Sequence, residues 1–214
     1  MSSVERLPIV VATGEAVREV PPELATVHVH TVAKGRDREA VLRRLAERSA
    51  AAGAVLDEFA AAIERRETTG VQVHPQTKRR GEGVAEYHGS VGTRVLVTDF
   101  TVLGDLLLRL AGEELTSVSG PYWQLRPGSR AGAEARRAAV TEALVQAAEY
   151  AAAVGARVDR LIEISDVFPA EGFPMAVGGR AMSDSGTLEL EPEPQTVHAR
   201  VRVTVTTSEP TLPI

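Results

Sequence analysis

The sequence has 214 residues, of which 43% are hydrophobic and 25% are charged, as is ordinary for a globular protein. It contains no cysteine, which excludes disulfides, thiolate nucleophiles and cysteine metal sites. Its formal net charge of -5 argues against a general nucleic-acid-binding protein, so we expect no nucleic-acid partner.

The segment from Pro8 to Lys34 predicts two strands joined by Pro21-Pro22. Two successive prolines remove two N–H donors, so strand pairing must stop there, and we expect the two strands to be antiparallel neighbours. The first strand is expected to start buried on both faces, with Gly14 marking a bulge or a close backbone approach. In the second strand the odd-numbered residues are predicted to form the buried face: Ala25, Val27, Val29, Thr31 and Ala33.

A long helix is predicted from an N-cap at Asp37 to about Arg66. Its apolar residues form a narrow stripe with spacings of three and four: Leu42, Leu45, Ser49, Ala52, Leu56, Phe59 and Ile63. The pattern favours a helix lying on a sheet. The alternative, a coiled-coil seam, is weaker because the repeat is short and its centre is Ser and Ala.

A long hairpin is predicted next, with a strand starting at Val71 and another running from Val84 to Thr98. Its turn carries three consecutive basic residues, Lys78, Arg79 and Arg80. This basic tip is the candidate binding site for a phosphate or an acidic partner. The alternative is a merely solvated turn, since no aromatic residue interleaves with the charges.

Two further helices are predicted, each followed by a strand. Asp99 caps a short helix with an apolar face, and a strand to about Arg126 places Trp123 in the core. Ser129 caps a helix to about Val154, and a sixth strand begins near Val158. The apolar stripe predicted for that longer helix is Val140, Leu144, Ala147, Ala151 and Val154.

Residues 169–194 are rich in proline and glycine and have no periodicity, which predicts a long disordered loop. The alternative is that this loop docks on a neighbour through Phe173, Met175 and Met182. A last strand from Gln195 to Thr207 alternates cleanly, and the tail 208–214 is expected to fray. The inward residues of that strand are Val197, Ala199, Val201, Val203 and Val205.

Three blocks of the sequence resemble the SIMPL-domain family, and together the resemblance spans about Ile9 to Thr207. They are TGEAVREVPPELATVHV, VTDFTVLGDLLLRLAGEELTSVSGPYWQL and EARRAAVTEALVQAAEYAAAVGARVDRLIEISD. The resemblance implies a single domain over 1–214 and a bacterial protein of undefined biochemical role, like the periplasmic immunogenic and oxidative-stress-defence-like relatives. It supplies no catalytic motif to transfer.

Most relatives are exported, but this N-terminus lacks a signal-peptide pattern, and no run of about 18 apolar residues occurs. We therefore expect a cytoplasmic protein without a membrane span. The fold class we expect is α+β, with the order ββαββαβαββ. We expect a mostly antiparallel twisted sheet with two long helices on one face.

Three histidines are candidate ligands of a metal ion. His28 and His30 share one strand face, about 7 Å apart by strand rise, and His198 faces outward on another strand. No acidic ligand lies at a telling spacing, so we expect neither a metal nor another cofactor. Glu15 and Glu23 are candidates for a pair of catalytic carboxylates, but the distance between them cannot be derived from the sequence. No phosphate-binding glycine loop or nucleophile motif occurs.

The absence of catalytic motifs argues against an enzyme and favours a non-enzymatic, self-assembling or scaffold protein. We expect a homo-oligomer, because the long hairpin from Val71 to Thr98 and the regular last strand leave unpaired backbone groups at sheet edges unless they are covered. The alternative is a monomer in which Pro75 and the basic tip already protect the hairpin edge. The alternative function is a binding module for a small ligand or a protein, using the 169–194 loop or the basic tip. A metal-dependent enzyme built on His28, His30 and His198 is the third hypothesis.

Overall fold

The computed structural model describes residues 7–77, 84–167 and 188–211. Its strands are β1 (Ile9–Val20), β2 (Leu24–Gly35), β3 (Ile63–Thr77), β4 (Val84–Val97), β5 (Thr116–Gln124), β6 (Val158–Asp166) and β7 (Gln195–Thr207). Its helices are α1 (Arg38–Glu58), α2 (Leu103–Ala111) and α3 (Arg130–Ala153). The predicted α+β class and the order ββαββαβαββ are confirmed. No helix in the described ranges is long and apolar enough to cross a membrane.

The strands form two antiparallel sheets where the sequence predicted one. A three-stranded sheet has the order β1-β7-β6, and a four-stranded sheet has the order β3-β4-β2-β5. The prediction that β1 and β2 pair with each other is wrong, because β1 pairs with β7 while β2 pairs with β4 and β5. Pro21-Pro22 ends the first ladder, and the chain passes into the other sheet.

The described chain divides into two compact units. The first unit contains β1, α3, β6 and β7; the second contains β2, α1, β3, β4, α2 and β5. Each long helix therefore covers its own sheet, with α3 on β1 and β7 and with α1 on β2 and β4. The single domain expected over 1–214 stays a prediction.

In the first unit, the buried face of α3 is made of alanines spaced by four: Ala135, Ala139, Ala143, Ala147 and Ala151. The predicted stripe is therefore displaced, and Leu144 is exposed. Alanines face the sheet because they let the helix backbone come close to β1. A Cβ built on Gly14 would stand 2.9 Å from the Ala143 Cα and nearer still to backbone atoms of Ala139 and Ala143. The predicted close approach at Gly14 is confirmed.

The second unit has the larger core. Leu103, Leu106 and Leu110 of α2 are fully buried against β2 and β4, and the Phe100 ring meets Trp123 edge-on, with centroids 4.9 Å apart. The predicted end of α1 near Arg66 is wrong, because the chain turns after Glu58 and pairs with β4 from Ile63 onward. Of the predicted loop 169–194, residues 169–187 lie outside the described ranges, while Leu188 and Leu190 pack against this core.

Candidate functional site

The three-stranded sheet of the first unit has two edge strands, β1 and β6, and both carry exposed aliphatic side chains. On β6 these are Leu161, Ile162 and Ile164. That strand also contains two register shifts within nine residues and four charged side chains. Bulges and charges are the devices by which proteins guard an edge against pairing with another chain. We conclude that β6 is a guarded edge.

The other edge, β1, also carries charged side chains, Glu15, Arg18 and Glu19, but it has no bulge. It pairs with β7 over twelve residues without a register shift and contains neither proline nor lysine. Because Ala12 and Gly14 face α3, the odd-numbered residues of β1 lie on the face away from the helix. On that face Ile9, Val11 and Val17 are 60%, 50% and 57% exposed. The expectation that β1 starts buried on both faces is therefore wrong.

We call these three side chains, together with the outer backbone edge of β1, the β1 surface. Its one acidic residue between the valines, Glu15, pairs with Arg200 of β7 at 2.7 Å. Both side chains are exposed, so the pair adds little stability, but it balances the charge within the surface. The β1 surface is thus a regular edge with three exposed aliphatic side chains and one paired charge, and such an edge can pair with a further strand.

The other predicted site residues are placed as follows. Lys78, Arg79 and Arg80 lie outside the described residues, so the basic tip stays a prediction. His28 and His30 lie on β2, where the His28 ring contacts Tyr122 with centroids 5.6 Å apart, and His198 lies exposed on β7. Glu15 bonds Arg200, whereas Glu23 accepts a hydrogen bond from the Arg126 N–H.

Within the described ranges, no group of three or more histidine, aspartate or glutamate side chains is placed to hold a metal ion. The expectation of no metal and no other cofactor stays a prediction. Elemental analysis of untagged protein checks it, since one zinc per chain that is lost in a His28→Ala/His30→Ala variant would contradict it.

Two polar clusters were missed by sequence reasoning, because each depends on strand register. His74 of β3 stands opposite His88 of β4, with ring centroids 5.9 Å apart, and His88 bonds Glu86 at 2.7 Å. Arg126, just beyond β5, pairs with Glu64 of β3 at 2.5 Å. Only knowledge of which strands lie side by side could have identified these partners.

The Glu64–Arg126 pair gives a testable pH effect. The hydrogen bond from Arg126 holds the pKa of Glu64 below its ordinary value. Because the folded-state pKa is lowered, the stabilisation is present above the unfolded-state pKa and is lost as pH falls through the folded-state pKa. We expect NMR titration of the Glu64 carboxyl to move back toward its ordinary value in Arg126→Gln. Arg109→Gln, which removes the partner of Glu58 instead, is the control. An unchanged Glu64 titration in Arg126→Gln would contradict the pairing.

Comparison with known proteins identifies the family. The SIMPL family, described as a protein of unknown function (DUF541), matches residues 10–205. The chain therefore belongs to the SIMPL family. No curated protein matches it. Among solved structures it is similar to an uncharacterized protein from Thermotoga maritima, at 14% identity and a TM-score of 0.24, over 45% of this chain and 94% of that one. A TM-score this low supports no inference about fold or function.

Proposed function

We propose that the protein is a non-enzymatic, self-assembling scaffold of the SIMPL class whose copies associate through the β1 surface. The observation that carries the proposal is the regular, bulge-free β1 edge beside three exposed aliphatic side chains. A second copy satisfies the backbone groups of this edge and removes the aliphatic side chains from water.

The simplest closed arrangement is a two-fold antiparallel pairing of β1 with β1 of a second copy. Side chains that stand opposite each other in such a pair lie on the same sheet face. A pairing centred on Thr13 places Thr13 opposite its own copy and Ile9 opposite Val17, twice over. The result is a continuous six-stranded sheet in which Ile9 and Val17 of the two copies lie side by side on the face away from α3, while Val11 stands opposite Glu15.

The pairing predicts a specific cross-link. Because the chain contains no cysteine, Thr13→Cys introduces a single thiol at the symmetry axis. Directly opposite residues in an antiparallel pair have Cα atoms about 4.5–5.5 Å apart, within the range a disulfide spans. We expect mild oxidation of Thr13→Cys to give a covalent dimer on non-reducing gels.

Ser165→Cys, on the guarded edge β6, serves as the matched control and is expected to stay monomeric on the same gel. If Thr13→Cys cross-links no faster than Ser165→Cys, the pairing of β1 strands is wrong.

A further inference from the structure

An apolar groove of about 530 Å³ lies in the second unit between α1 and the edge strand β3. In the described residues α1 packs mainly on β2 and β4, and the groove lies where the helix reaches β3. Small residues of α1, Ala46, Ser49 and Ala50, form one wall, and Val71 and Val91 lie on the sheet side. Val71 is 61% exposed, although its side chain lies on the sheet face that α1 covers elsewhere.

The backbone of β3 is free along this groove. In the described residues β3 pairs with β4 alone, and the register is regular from Gly70 to Gln76. The register shifts on either side of this stretch, together with Pro75, guard its two ends and leave the segment around Val71 and Val73 regular. Pro75 has no N–H, which is tolerated where that position points away from the ladder. Backbone direction alternates along a strand, so Val71 and Val73 also present their N–H and C=O groups outward. Free hydrogen-bonding groups and an apolar groove therefore coincide.

On the other face of β3, His74 is a polar residue that a side chain of an added strand could contact. On β4, the carboxylate of Glu86 pairs with His88 at 2.7 Å. The neighbouring ring, His74, contacts His88, but no carboxylate in the described part of the chain pairs with it. The charged groups nearest this ring by register are Glu86 and His88 on β4 and Lys34 on β2. An acidic side chain on a strand added beside β3 complements His74 there.

We propose that this groove is a β-strand-addition site for an extended segment of a partner protein. The segment pairs antiparallel with Val71 and Val73, and its alternate side chains fill the space between β3 and α1. Because side chains alternate between the two faces of a strand, the residues of β3 determine which residue types the partner segment needs. Aliphatic residues stand opposite Val73 and Val71, a polar residue stands between them, and an acidic residue precedes them opposite His74. The partner segment therefore has the order acidic–aliphatic–polar–aliphatic.

The probe is a fluorescein-labelled, capped peptide containing glutamate-valine-threonine-valine between glycine and serine residues. We expect saturable binding by fluorescence anisotropy. The expected dissociation constant is about 1–100 µM, as suits a short segment that must be ordered on binding. A peptide of the same composition in scrambled order is expected to bind at least about tenfold more weakly.

Two variants test the two halves of the site. Val71→Pro removes an outward N–H without touching the pairing of β3 with β4. Ala50→Glu places a charge in the groove on an exposed helix position, so it tests the site even if Val71→Pro fails to fold. Each is expected to weaken binding at least about tenfold. Ala51→Glu, on another side of α1, is the matched control and is expected to bind like the unaltered chain.

Several results would overturn the proposal. These are no saturable binding at millimolar peptide, equal binding of the scrambled peptide, or unchanged affinity in both Val71→Pro and Ala50→Glu. A peptide with glutamine in place of glutamate is expected to bind several-fold more weakly; equal affinity would remove the acidic residue from the proposed order. Because the groove is separate from the β1 surface, Ala50→Glu is expected to leave the oligomeric mass unchanged, so the two proposals fail independently.

Discussion

Gly14→Ala is expected to destabilise the first unit by about 1–3 kcal/mol, the typical range for overpacking. The added Cβ would stand 2.9 Å from the Ala143 Cα and would meet backbone atoms of Ala139 and Ala143 at even shorter distances. Because these atoms belong to the helix backbone, α3 as a whole would have to move away from β1. We expect a lower urea midpoint by far-UV circular dichroism.

The matched control is Gly53→Ala in α1, where an added Cβ meets nothing within 4 Å. Alanine is the better helix former, so this change is expected to stabilise α1 by about 0.5–1 kcal/mol. Opposite signs for the same chemical change would isolate the close approach at Gly14. An unchanged urea midpoint in Gly14→Ala would show that α3 does not approach β1 as described.

Val11→Glu/Val17→Glu is expected to abolish assembly while leaving each copy folded. Both valines are at least half exposed within one copy, so the changes cost the isolated chain little. In the proposed pairing the same changes bring four new carboxylates into one strand interface, beside Glu15 of each copy. Like charges that face each other across paired strands oppose association. We expect the association constant to fall at least about 100-fold, equivalent to about 2.7 kcal/mol.

The control is Leu108→Glu/Tyr150→Glu, which adds the same charge at two exposed apolar positions, on α2 and on α3. It is expected to assemble like the unaltered chain by analytical ultracentrifugation. Equal loss of assembly in both double variants would mean that net charge, and not the β1 surface, controls association.

Local alternation predicted much of the fold. Residue spacing and side-chain chemistry were enough to predict three features that the structure confirms. These are the buried odd-numbered residues of β2, the inward valines of β7, and the helix caps at Asp37, Asp99 and Ser129. The end of α1 was mispredicted because Phe59 and Ile63 continue the helical stripe. In the structure Phe59 is the C-cap residue of α1, and Ile63 pairs with Val97 of β4. A long-range partner decided between two locally acceptable structures.

The candidate site was only partly predictable for the same reason. The sequence places Ile9, Val11 and Val17 on the same face of β1. Whether that face is buried depends on which side of the strand α3 covers. Alanines of α3 cover the parity of Ala12 and Gly14, which leaves the valines exposed. Likewise the sequence alone does not show that β1 is an edge strand, because this depends on its pairing with β7 and on β6 being the opposite, bulged edge.

The central claim, self-assembly through the β1 surface, is tested most directly by light scattering coupled to size-exclusion chromatography over a concentration series. One chain has a mass of 22.8 kDa. The account predicts a mass of at least twice that value for the unaltered chain, falling to the single-chain mass in Val11→Glu/Val17→Glu. A mass of 22.8 kDa for the unaltered chain at the highest soluble concentration would contradict it.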